Sequence, residues 1–221
     1  MIKVVGIDEA GKGPVIGSMF IGFSVIEAES REELEKFYEK LRVLGVKDSK
    51  KLSPANRATV YRHLKENLDF NYAQLTPHLI DDNFSKGGNL NELEQRAIAE
   101  LLEKLKPDII YLDALTSKPK EFEKSIRNRL SFTPEEIISE NGADETYAMV
   151  GAASILAKEL REQELLEIKA NLAVDVGSGY PSDPKTQEYI KENWDNEDVN
   201  FIFRKSWNTY KKYSQKTLND F

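Results

Sequence analysis

The sequence predicts an α/β fold. Short runs of β-branched and aromatic residues alternate with stretches of helical apolar periodicity, and acids stand at the ends of two of the strand-like runs. A length of 221 residues suits one large domain, or one domain with a smaller appendage, and leaves little room for two equal ones. Hydrophobic residues at 40% against charged residues at 31% give a composition able to bury a core. There is no cysteine, which excludes disulfides, thiolate metal sites and cysteine nucleophiles together.

Ile2 to Ile7 is a first apolar run and Val15 to Ile26 a second. Gly11, Gly13 and Pro14 between them predict a hairpin. Leu34, Phe37, Tyr38 and Leu41 give Arg31 to Leu44 one apolar helix face. Ser53-Pro54 then opens another helix, serine capping and proline in the first turn, whose face continues through Val60, Leu64 and Leu68. Phe70 to Leu75 alternates as a strand does. Leu90, Leu93, Ala97, Leu101 and Leu102 mark a longer helix that Pro107 ends. Ile109-Ile110-Tyr111-Leu112-Asp113 reads as a buried strand closed by an acid, and Phe122, Ile126 and Leu130 as a short helix. Ile137-Ile138 is the last strand, followed after Asn141-Gly142 by a helix from about Tyr147 to Ala173. Gly177-Ser178-Gly179-Tyr180-Pro181 is the densest loop signal, so a boundary is expected there: residues 1–176 form a main domain and 177–221 a helical extension. No internal repeat or low-complexity segment interrupts this order.

The net charge of −7 argues against a protein that coats nucleic acid indiscriminately. The charge is uneven. Phe201 to Phe221 holds five cations (Arg204, Lys205, Lys211, Lys212, Lys216) and one acid (Asp220), a local +4 that leaves −11 on the rest. On composition alone such an end reads as a solvated basic helix face. The start reaches Asp8 too early for a signal peptide, and no run approaches 18 apolar residues; a soluble cytoplasmic protein without membrane association is expected.

Four acids stand where strand or loop meets an apolar segment: Asp8 and Glu9 after the first run, Asp113 after the central one, and Asp144 before the long helix. The ends of strands in open α/β sheets are common site positions. Carboxylates that converge repel, by about 4 kcal/mol for two charges about 4 Å apart at an effective dielectric of about 20. Divalent cations relieve this. An all-oxygen donor set favours Mg²⁺ or Mn²⁺ over zinc, and two such ions suit in-line displacement at phosphorus. A rival reading takes Gly6 to Lys12 as a Walker A loop and Ile110 to Asp113 as Walker B, making a nucleotide hydrolase. Gly13 then stands where a magnesium-binding hydroxyl is needed, and Asp8 and Glu9 would put negative charge inside a phosphate cradle.

The run Asp8-Glu9-Ala10-Gly11-Lys12-Gly13-Pro14-Val15-Ile16-Gly17 resembles the signature of type 2 ribonuclease H (ribonuclease HII), in the form shared by archaea and the eukaryotic catalytic subunit. Asp48-Ser49-Lys50-Lys51-Leu52, Asn91 to Glu94, Leu112-Asp113, Ala143-Asp144, Ala152 to Lys158 and Gly177 to Pro184 follow in the family's order and approximate spacing. The resemblance implies a ribonuclease H-like mixed five-stranded sheet flanked by helices, with a helical C-terminal extension. It puts the family's metal-binding, catalytic carboxylates on Asp8, Glu9, Asp113 and Asp144, the four already chosen by position. The implied reaction uses two Mg²⁺ or Mn²⁺ ions bridged by Asp8, one activating water and the other stabilising the departing 3′ oxygen. It leaves 5′-phosphate and 3′-hydroxyl ends.

The implied substrates are RNA/DNA hybrids and duplex DNA carrying ribonucleotides. Gly11, Lys12 and Gly13 would sense the 2′-hydroxyl, while Ser49, Lys50, Ser154, Lys158 and Arg161 would touch phosphates. Tyr180 would pack on the sugar of the deoxynucleotide after the ribonucleotide. Neither His63, in a helix, nor His78, in an expected loop, has a role. Two departures stand out: Gly142 replaces a commonly basic residue, and Arg161-Glu162 replaces Arg-Asp. A monomer is expected, with accessory subunits or a sliding clamp left open. A catalytically silent hybrid-binding module is the other alternative, and retention of all four acids argues against it.

Overall fold

The computed structural model describes residues 1–46, 52–114 and 116–216. Strands β1 (Ile2–Ala10), β2 (Met19–Ala28), β3 (Asp69–Leu75), β4 (Ile109–Asp113) and β5 (Glu136–Glu140) form one sheet in the order β3-β2-β1-β4-β5. β2 runs antiparallel to β1, whereas β4 is parallel to β1 and β5 to β4. The sheet is therefore mixed and five-stranded, as expected. The helices are α1 (Arg31–Val43), α2 (Pro54–Lys65), α3 (Pro77–Ser85), α4 (Leu90–Leu105), α5 (Pro119–Arg127), α6 (Ala143–Thr146), α7 (Ala148–Leu172), α8 (Pro184–Asn193) and α9 (Asn208–Lys216), with a 3₁₀ turn at Asn200–Ile202. None of the described helices is long and apolar enough to cross a membrane.

The backbone divides into two compact units. The first comprises Met1–Ala10, Phe20–Ala73 and Glu94–Glu159 and holds nearly all of the sheet. Side chains alternate along β1, and Val4, Gly6 and Asp8 share the face that meets α7. Val4 joins Met149 and Ile155 in an apolar cluster with Leu34, Leu41 and Leu64. Gly6 lies against the Met149 backbone, whose carbonyl accepts a hydrogen bond from Ser24 Oγ at 2.6 Å. The serine cap at Ser53 forms as expected, accepting from Asn56 N, with Pro54 starting α2.

The second unit comprises Gly11–Met19, Gln74–Leu93 and Leu160–Phe221, with a core of Val15, Ile16, Leu165, Ile168, Tyr189, Ile202 and Phe203. Several expectations change here. Val15 and Ile16 do not extend β2. Their N–H groups both donate to Gly179 O, at 2.8 and 3.3 Å, and Ile16 bridges to Phe203, so the residues between β1 and β2 pair with distant segments rather than with each other. His78 lies in α3 rather than in a loop; Thr76 caps that helix by accepting from Leu79 N. Arg204 is not part of a solvated basic face, being fully buried.

Candidate active site

β1 and β4 are parallel neighbours with Ile7 opposite Leu112, and the next residue on each strand is an acid. Parallel pairing thus brings Asp8 beside Asp113. Asp8, Glu9 and Asp113 each offer a carboxylate oxygen, and these oxygens lie within 4.8 Å of one another. Asp8 is buried; Glu9 and Asp113 are half-buried. Asp144 is a buried residue of α6. The residue before it, Ala143, donates its N–H to Asp113 Oδ1 at 2.9 Å. Gly142, at φ 70°, turns the chain from β5 into α6 through the left-handed region, where a side chain is strained.

Burial pushes the Asp8 carboxyl well above its ordinary pKa, and the charges of Glu9 and Asp113 push it the same way. A hydrogen bond from the Ser154 hydroxyl and one from Glu9 N oppose them. Ser154 itself is fully buried and accepts from Lys158 Nζ at 2.9 Å. The structure thus puts this serine inside the carboxylate cluster, not on a surface open to a phosphate. A cluster of three carboxylates in which burial and neighbouring charge disfavour the ionised form of Asp8 fits hard divalent cations. The Walker reading fails on backbone geometry, because Gly6 to Ala10 is extended strand and cannot curl around a phosphate.

A second cluster lies wholly within the second unit. Arg161 donates from Nη2 to Ser178 O at 2.6 Å, and its guanidinium carbon lies 4.8 Å from the Tyr180 ring centre. A Cβ on Gly11 would meet Arg161 Cδ at 3.0 Å, and one on Gly13 would meet Tyr180 Cε1 at 3.4 Å. Gly11, Gly13, Arg161 and Tyr180 are therefore neighbours, with Tyr180 39% exposed and its ring available for a contact. Lys12 Nζ donates to Asn91 Oδ1 at 3.2 Å. Ser49 and Lys50 lie outside the described residues. Glu162 is half-buried on α7.

Sequence reasoning missed three contributors. Asn91 lies in one of the quoted blocks without a role, yet holds Lys12. Glu164 accepts from both the N–H and the hydroxyl of Ser18, and from Gln74 Nε2 at 3.1 Å, tying three separated segments together. Arg204 grips the glycine loop from inside. No local pattern announces any of these partners.

The family model for Ribonuclease HII matches residues 5–210. A ribonuclease HII of Pyrococcus abyssi is 40% identical over 220 residues, covering 97% of this chain and 92% of that protein. The crystal structure of ribonuclease H2 from Pyrococcus horikoshii OT3 superposes with a TM-score of 0.85 at 38% identity, covering 97% of this chain and 98% of that one. A structure of the PCNA:RNase HII complex from Archaeoglobus fulgidus superposes with a TM-score of 0.81 at 34% identity, covering 99% and 100%.

Proposed function

Because this chain belongs to the ribonuclease HII family, and is accordingly a nuclease, we propose that it cleaves the RNA strand of RNA/DNA hybrids. We extend this to cleavage 5′ of ribonucleotides embedded in duplex DNA, leaving 5′-phosphate and 3′-hydroxyl ends. The observation that carries the reading is the convergence of Asp8, Glu9 and Asp113 within 4.8 Å. Asp144, adjacent to the Ala143 N–H that binds Asp113, completes the proposed ligand set. Two divalent ions, Mg²⁺ or Mn²⁺, would supply an activated water and charge stabilisation at the departing oxygen.

The chain's own residues prepare that site. Ser154, which accepts a hydrogen bond from Lys158, orients the Asp8 carboxylate. Gly11 and Gly13 let the backbone approach a ribose 2′-hydroxyl, with Lys12, Lys158 and Arg161 supplying charge for phosphates; Lys50 would add charge and Ser49 a hydroxyl donor. Residues 177–221 act as the substrate-binding extension. The enzyme works as a cytoplasmic monomer, and the Archaeoglobus complex makes a sliding clamp the partner to test first.

Cleavage of a strand-labelled hybrid in Mg²⁺, with the product ends identified, tests this reading. Absence of metal-dependent cutting overturns it. Ca²⁺ is expected to bind without supporting turnover, since its larger, flexible shell does not hold tight octahedral geometry; rapid cleavage in Ca²⁺ alone would count against two-metal chemistry.

Tyr180 is expected to set the preference for RNA-to-DNA junctions. Aromatic contacts with nucleic acid contribute about 1 to 3 kcal/mol. Packing on a sugar lies near the lower end, so Tyr180→Ala loses roughly tenfold in kcat/KM on a duplex with one ribonucleotide, while Tyr180→Phe keeps most of it. An equal loss on a continuous hybrid, accompanied by a fall in melting temperature, would make Tyr180 a structural residue.

A further inference from the structure

We propose that Arg204 is the positioning residue of the Gly11–Gly13 loop, gripping its backbone from the protein interior so that Lys12 is presented to the nucleic acid. This rests on the reading above that the loop contacts substrate. Arg204 is fully buried. Its Nε donates to Gly17 O at 2.8 Å, its Nη1 to Lys12 O at 3.2 Å, and its backbone N to Val15 O at 2.9 Å. Trp207, three residues on, stacks its ring 5.1 Å from the guanidinium and donates Nε1 to Gly13 O at 3.2 Å. Two side chains thus hold the carbonyls of Lys12, Gly13 and Gly17.

The arrangement is costly for a purely structural device. Among the described residues Arg204 makes no ion pair, and its buried Nη2 lacks a hydrogen-bond partner. Burial pulls its pKa down to about 10, with Arg161 adding to the effect, while Glu164, Tyr180 and Asp81 favour the charge. The group therefore stays cationic at neutral pH. An apolar replacement would remove the buried charge but leave the Lys12 and Gly17 carbonyls without this donor. The geometry explains why the cation is useful: a planar fork reaches two carbonyls at a fixed separation, which the point charge of lysine does not do.

The test uses Arg204→Met, Arg204→Lys and Trp207→Phe in the full chain, each alone and combined with Lys12→Ala. Readouts are kcat and KM on a duplex with one embedded ribonucleotide, the Mg²⁺ dependence of the rate, and melting temperature. Arg204→Met is expected to raise KM about tenfold without changing the Mg²⁺ dependence, with lysine restoring part of the loss. Trp207→Phe, which keeps a ring but loses the bond to Gly13, raises KM about threefold, and it carries the test if Arg204→Met fails to fold. In the Lys12→Ala background both effects shrink but do not vanish, because the lysine is gone while the Gly11 and Gly13 backbone can still be misplaced. Full multiplication of the effects, an unchanged KM, or an altered Mg²⁺ dependence overturns the proposal while leaving the ribonuclease reading intact. If Lys12→Ala alone leaves KM unchanged, the lysine does not contact substrate and the proposal that Arg204 presents it falls; a wild-type protein that cuts no hybrid removes the premise of both.

Discussion

Asp113→Asn is expected to lose at least about a hundredfold in cleavage rate, equivalent to about 2.7 kcal/mol of transition-state stabilisation, while melting no lower than the wild type in metal-free buffer. The two halves of this expectation have separate causes. Asparagine keeps an oxygen at the position where Asp113 Oδ1 accepts from Ala143 N at 2.9 Å, so the link between β4 and α6 survives. Removing the charge also lifts one of the repulsions that raise the Asp8 pKa. Asp8 then ionises more readily, and a lost rate cannot be assigned to its protonation. What disappears is one anionic oxygen donor of the proposed metal site, and neutral amide oxygens bind hard divalent cations less tightly than carboxylates. Single-turnover cleavage of a labelled hybrid at saturating Mg²⁺, with a melting curve of the same preparation, checks both halves. Near wild-type cleavage would remove Asp113 from the reaction.

The acids were legible because strand ends are local features: Ile109 to Asp113 announces a buried strand and its terminal acid in five residues. The parallel pairing that brings Asp113 to Asp8 is not local. The likeness of the blocks to the family put the two acids in one set, but the pairing of their strands is visible only in the structure. Helix α3 carried a readable signal, since Thr76-Pro77 repeats the cap seen at Ser53-Pro54, but its nine residues give too short an apolar period to stand out. Helix α6, with four residues, has no period at all. The second unit was hidden for a different reason. It gathers Gly11–Met19, Gln74–Leu93 and Leu160–Phe221, and hydrogen bonds such as those from Ser18 and Gln74 to Glu164 span intervals that no sequence window contains. Arg204 illustrates the limit of charge counting: five cations in a tail look solvated until one of them finds three carbonyls of a single loop, those of Lys12, Val15 and Gly17, to bind.

Gly6→Ala is expected to lower the melting temperature by about 6 to 12 °C, the counterpart of about 3 kcal/mol in a chain of this size. An ideal Cβ at Gly6 would sit 2.2 Å from the Met149 carbonyl carbon and 2.6 Å from Val150 N. Those atoms are helix backbone, not the far end of a flexible side chain, so the clash is relieved only by moving α7 away from β1. Such a shift has a chemical consequence, because α7 carries Ser154, whose hydroxyl binds Asp8 two residues beyond Gly6. Burial and neighbouring charges already disfavour the Asp8 carboxylate, and losing that donor disfavours it further. Cleavage should therefore fall even well below the melting transition, by about tenfold if a full hydrogen bond to a charged group is lost. Gly22→Ala offers an independent check on the opposite strand, where a Cβ would lie 2.5 Å from Ala153 O on the same helix. If both variants melt within about 2 °C of the wild type, the helix does not lie as close to the sheet as these distances require, and the orientation of Asp8 by Ser154 must be reconsidered with it.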